Sequence, residues 1–314
     1  MSLATKELLM NNQITYVTRL QGKWLIIARV IWFTIAISSL GLFFISLPTG
    51  IEQINEVSTL AYEMTHEIYT PEEFNSFMYY TFIFHLPFTV PMLISSFVAL
   101  VIFRLRSNDC MAIFVSTMLF TVGTAITTHI SGLIPVSPIF RLPADILSFL
   151  GVVSAIIFPF VFPDGRFVPK WTRYLALVWA VWISVWFLFP TATVVPTQWP
   201  ATLELLFYLF WLVIVLSAPI YRYTRVSSPL LRRQTKWVVR GIIMTPVGGI
   251  LSAALLLVAT LSLEHSQRVA TTLLYVGILL FMFTLLLVPL SIGISVIRRR
   301  LWDIEYINNR MKEY

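Results

Sequence analysis

The residues of this chain best suited to chemistry are its four histidines and a stripe of threonines. Imidazole titrates near pH 6.5 and ligates zinc, so a histidine beside carboxylates is a natural proton or metal sensor. His85 and His129 fall in apolar runs, whereas His66 and His265 fall in the segments between them. Thr117, Thr121, Thr124 and Thr128 recur at i, i+4, i+7 and i+11, which aligns their hydroxyls on one helical face. Arg141, Asp145 and Glu204 belong to the same outer boundary as His85 and His129. Ionisable groups at membrane depth usually face a bundle interior or a water-filled cavity. His85, Thr121, Thr124, Thr128, His129, Asp145 and Glu204 are therefore the candidate pocket for a small or peptide ligand. The same pattern also suits threonines that bond their own i−4 carbonyls and charges that merely mark span ends. No spacing among these residues is diagnostic of a metal site.

Catalytic signatures are missing from the sequence. It has no P-loop, no G-x-S-x-G elbow, no H-E-x-x-H pair and no cysteine-rich metal pattern. Every histidine is expected away from the cytoplasm, so autophosphorylation of an imidazole is not expected. The reading is of a protein that is not an enzyme and needs no cofactor or metal.

The elements that must position these residues are apolar. Hydrophobic residues make up 58% of the chain and charged ones 12%, with a mean hydropathy of +0.82. A soluble domain holds about 45–50% apolar and about 25% charged residues, so lipid is the solvent this balance fits. Eight apolar runs are predicted as spans, at 24–47, 79–103, 110–130, 143–162, 173–190, 203–220, 241–262 and 271–297. Each is long enough to cross a hydrocarbon layer ~30 Å thick. The expected fold is all-α, a polytopic transmembrane helical bundle, with a leader over 1–23 and a signalling-type tail over 298–314. With the chain so divided, twenty of its 22 Lys and Arg residues fall on one side. Arg141 and Arg268 fall on the other. Basic flanks stay cytoplasmic, so both termini are expected inside a bacterial cytoplasmic membrane.

The net charge of +7 is spread over five short segments, a pattern for topology and lipid headgroups rather than for nucleic acid. Arg29, inside the first run, is expected to snorkel to those headgroups. Trp24, Trp171, Trp199, Trp237 and Trp302 lie near predicted water interfaces, as an aromatic belt requires. The first outer loop, 48–78, carries six glutamates and no Lys or Arg. Cys110, the single cysteine, excludes an intrachain disulfide.

Prolines and glycines mark a candidate hinge: Pro246, Gly248 and Gly249 in the seventh span, with Pro289 and Gly293 in the eighth. Pro in a helix interior removes a hydrogen bond and kinks the helix; static kinks that shape packing fit the same residues. The candidate output residues are Arg232, Arg233, Arg298, Leu301, Trp302 and Asp303, on the basic segments next to those spans.

Three of the basic-side segments carry motifs. The first is Phe160-Val161-Phe162-Pro163-Asp164-Gly165-Arg166-Phe167-Val168-Pro169-Lys170-Trp171. The second is Arg232-Arg233-Gln234-Thr235-Lys236-Trp237-Val238-Val239-Arg240-Gly241. The third runs from Pro289 through Gly293 to Arg300-Leu301-Trp302-Asp303-Ile304-Glu305-Tyr306 and on to Arg310. In this order they resemble the multi-span N-terminal membrane sensor region of ComP-like bacterial histidine kinases, the quorum-sensing class. The resemblance implies a receptor module whose last span drives a cytoplasmic signalling helix. In that family a kinase follows the third motif; here the chain ends at Tyr314, after a short helix expected to place Leu301, Ile304, Asn308 and Met311 on one face.

The function expected from all this is a non-catalytic sensor that relays an outer or intramembrane cue to a cytoplasmic partner. A small-solute transporter or channel using the polar face of the third span is the alternative. The partners expected are the lipid bilayer, a separate cytoplasmic kinase or response protein, a small or peptide ligand, and a second copy of the chain.

Overall fold

Apolar runs of this length fold as helices because lipid offers the backbone no hydrogen-bond partners, so each N–H and C=O must be satisfied within its own segment. The computed structural model describes residues 20–65, 71–127, 130, 133–134, 137–189, 191–193, 195–227, 229–262, 266–299 and 301–302. Among the described residues there are eight long helices and no strand. They are α1 (Gly22–Thr65), α2 (Pro71–Arg106), α3 (Cys110–Ile126), α4 (Arg141–Val161), α5 (Thr172–Leu188), α6 (Ala201–Tyr221), α7 (Pro229–Ser262) and α8 (Gln267–Arg299). A π turn, Arg222–Val226, closes α6.

Six of these helices are long and apolar enough to cross a membrane. The other two, α3 and α5, are apolar helices of 17 residues each, ~25 Å long at 1.5 Å per residue. Large apolar side chains stand exposed along the bundle, among them Leu177 at 63%, Val213 at 67% and Leu261 at 67%. Water would make that surface costly; a bilayer makes it the favourable one. The chain is a multi-pass, membrane-embedded protein.

Two boundaries differ from the sequence reading. The segment 48–78, expected as a loop, is largely helical: α1 runs on through Pro48 to Thr65, and α2 begins at Pro71. Pro48 removes one hydrogen bond without ending the helix. At the other end α8 stops at Arg299, and Leu301 and Trp302 form a turn. Of the helix expected to follow, Leu301 lies in this turn, and Ile304, Asn308 and Met311 lie outside the described residues.

The main core lies toward the end of the bundle where the basic segments gather, and it is keyed by Trp32. The indole stacks on Phe103 with ring centroids 3.6 Å apart and meets Phe120 edge-on at 5.6 Å. Its Nε1–H donates to Ser116 Oγ at 2.7 Å, and the Ser116 hydroxyl donates onward to the Ala99 carbonyl at 2.8 Å. One polar relay thus ties α1, α3 and α2 inside an apolar core. Ile292 and Val296 of α8 and Val238 of α7 join the same cluster.

Helices α7 and α8 form an antiparallel hairpin closed by small residues. A β-carbon on Gly241 would lie 2.5 Å from Ser291 Oγ, and one on Gly248 would overlap Thr284. The Thr245 hydroxyl donates to the Thr284 carbonyl at 2.9 Å and Ser252 to that of Gly277 at 2.6 Å. Positions 241, 245, 248 and 252 repeat at four and three, the seam that lets backbones approach closely in lipid.

Candidate functional site

The loop between α4 and α5 gathers two distant parts of the chain. Pro163-Asp164-Gly165 turns it: Gly165 sits at φ +77, a region open to glycine, and its N–H donates to the Val161 carbonyl at 2.8 Å. Asp164 Oδ1 accepts the Arg166 N–H at 3.0 Å, fixing the carboxylate over the turn. Thr172, the first residue of α5, ties the helix start to the loop by donating its hydroxyl to the Pro169 carbonyl at 2.7 Å.

Arg222 enters this loop from the end of α6. The π turn is closed by Ser227, whose N–H and hydroxyl both reach the Arg222 carbonyl, at 2.9 and 3.0 Å. The guanidinium is buried, with 4% of the residue exposed. Its Nη2 pairs with Asp164 Oδ1, and its Nη1 donates to the Arg166 carbonyl at 2.8 Å. A buried guanidinium costs several kcal/mol unless opposite charge and acceptors surround it, and the loop supplies both.

Trp302 enters the same loop from beyond α8. Leu301 N–H bonds to the Ser295 carbonyl at 3.1 Å, folding the chain back on its own helix. Trp302 follows at φ +60, a left-handed conformation unusual for an aromatic residue. Its indole N–H donates to the Pro163 carbonyl at 2.8 Å, and its ring meets Phe162 edge-on at 6.4 Å. Neighbouring residues 163 and 164 thus hold the ends of two helices. The belt position expected for Trp302 gives way to burial, while Trp24 and Trp171 stay more than half exposed.

The other output residues lie around this junction. Arg232 is half-buried and donates to the Thr224 carbonyl at 2.6 Å; Arg233 and Arg298 are exposed. Asp303 lies outside the described residues. Arg29, expected to snorkel to headgroups, instead donates its Nη2 to Ser107 Oγ and Asn108 Oδ1, both at 2.7 Å.

The pocket residues are placed differently. Thr121 and Thr124 are buried, and their hydroxyls donate to carbonyls of their own helix, at Thr117, Met118 and Phe120. Gly151 of α4 lies so near that a β-carbon there would be 2.5 Å from the Thr121 carbonyl. Asp145 faces out and pairs with Arg141 at 3.7 Å, while half-buried Glu204 lies beside Tyr208 of its own helix. These described members make their polar contacts within their own helices. The His85 side chain, Thr128 and His129 lie outside the described residues. Among the described residues, no three His, Cys, Asp or Glu side chains group closely enough to hold a metal ion.

The hinge residues divide. Pro246 and Pro289 sit inside continuous helices, and Gly293 makes ordinary contact with Val98 at 3.5 Å. Gly248 is wedged against Thr284, whereas Gly249, one residue on, faces open space.

Sequence reasoning missed the Asp164–Arg222 pair. The available signal was a lone carboxylate in a loop whose neighbouring basic segment, 222–240, has six cations and no acid. Comparisons with protein-family models, with curated proteins and with solved structures found no match to this chain.

Proposed function

We propose that this chain is a non-catalytic membrane sensor module. In this reading eight helices span the membrane, both termini are cytoplasmic, and a cue from outside or within the bilayer is passed inward through α7 and α8. The three motifs resembling ComP-like kinase input regions belong to this proposal. The observation that supports it is the junction at Pro163 and Asp164, where the end of α8 and the end of α6 meet one loop. A shift of α8 along its axis would carry Trp302 with it and alter the segment beyond. Any cue must bind the two arrangements with different affinity, since equal affinity shifts nothing.

The test pairs two measurements on the full chain. Reconstituted protein should give no selective solute flux, and photo-crosslinkers in 298–314 should capture a kinase or response protein in cells. Selective flux would establish the transporter reading in its place.

A further inference from the structure

The first three turns of α7 have two unlike faces. Gln234, Thr235, Val238 and Val239 are buried against the bundle. Arg233, Lys236, Trp237 and Arg240 are exposed on the opposite side. The Arg240 guanidinium lies over the Trp237 ring, 5.4 Å from its centroid. Arg232 is pinned to the Thr224 carbonyl, which anchors this end of α7 to the π turn and its own exposed Arg225.

Length sets the depth of this face. At 1.5 Å per residue the 34 residues of α7 measure ~51 Å, against ~30 Å of hydrocarbon. The apolar stretch after Arg240 accounts for the hydrocarbon, so Arg233 to Arg240 lie at headgroup level. Exposed cation–aromatic pairs recur at the starts of α1 and α5, with Lys23 over Trp24 at 5.7 Å and Arg173 over Tyr174 at 4.6 Å. Indole and phenol rings at that level are interfacial anchors.

Charge names the occupant. Asp164 is held by Arg222, and Asp109 caps α3 by accepting the Ala112 N–H at 3.0 Å. The described ion pairs leave Arg233, Lys236 and Arg240 without a carboxylate. We propose that Arg233, Lys236 and Arg240, flanking the Trp237 indole, bind the phosphate headgroup of an anionic phospholipid. Guanidinium takes phosphate bidentately, the ammonium adds a point charge, and the indole fixes the depth. A soluble acidic partner would have no use for an indole set at headgroup level. The proposal is independent of the sensor reading.

Native mass spectrometry of the full chain with equimolar phosphatidylglycerol and phosphatidylcholine tests it. The unaltered protein should retain phosphatidylglycerol by about tenfold, and R233Q/K236Q/R240Q should lose most of that preference. R233K/R240K should keep most of it. Glycerol phosphate in excess should leave the bound lipid in place. Should the triple variant fail to fold, salt decides with the unaltered protein, because raising ionic strength from about 0.05 to about 0.5 M should cut the preference severalfold. A preference unchanged by the substitutions or by salt, displacement by glycerol phosphate, or no preference at all would overturn the proposal.

Discussion

The Trp302 indole donates to the Pro163 carbonyl at 2.8 Å, joining residues 139 positions apart. That bond, with the Arg222–Asp164 pair beside it, makes the α4–α5 loop the meeting point of α4, α6 and the end of α8. The energetics of this junction are open to measurement.

Trp302→Phe keeps an aromatic ring against Phe162 but removes the indole donor, and should cost about 1 kcal/mol. Trp302→Ala also empties a buried site and should cost about 3–5 kcal/mol. Thermal unfolding in detergent, followed by loss of monomer on size exclusion, should rank parent above Phe above Ala. Equal stability of the Phe and Ala variants would show that the ring contributes nothing.

The Arg222–Asp164 pair should behave as a unit. Arg222→Met strands a carboxylate and Asp164→Leu strands a buried guanidinium, each costing about 3 kcal/mol or more. The double variant should be more stable than the sum of the two losses allows, with a coupling of at least about 1 kcal/mol in a double-mutant cycle. Strict additivity would mean that the two side chains act independently.

Adjacent glycines should respond oppositely. Gly248→Val drives two methyl groups into Thr284 and should destabilise the α7–α8 hairpin by about 1–3 kcal/mol. Gly249→Ala meets open space and should be neutral or stabilise by up to about 1 kcal/mol. Paired thermal melts check this, and Thr284→Ala should recover part of the Gly248→Val loss.

Ser116 is the centre of the relay from Trp32 to Ala99. Ser116→Ala leaves the buried indole N–H without its acceptor and should cost about 1–3 kcal/mol. Combining it with Trp32→Phe, which removes that donor, should add less than Trp32→Phe costs alone. Unfolding in graded denaturant would show the difference.

These side chains also show which parts of the fold could be read from sequence. Long apolar runs announce helices because lipid leaves the backbone no other choice, and a described helix overlaps each run, six of these helices being long and apolar enough to cross a membrane. The ends were harder. Pro48-Thr49-Gly50 has the composition of a stop, yet α1 continues to Thr65, because a single lost hydrogen bond does not outweigh the helix around it. Leu301 and Trp302 have the spacing of a continuing helix, yet packing and one indole bond fold them back. The threonine stripe was visible as a stripe. The local reading of it, hydroxyls bonded to their own i−4 carbonyls, is the one Thr121 and Thr124 follow, whereas the close approach of Gly151 to Thr121 depends on tertiary packing. Asp164 and Arg222 stand 58 positions apart, and only the tertiary fold makes them neighbours.

A distance measured in bilayers tests the junction most directly. With the exposed Cys110 replaced by Ser, spin labels at the exposed Arg166 and Arg298 report whether the end of α8 is fixed to the α4–α5 loop. A single narrow distribution should be seen, broadening when Trp302→Ala is added. A distribution already broad without that substitution, or one that stays narrow with it, would contradict the account.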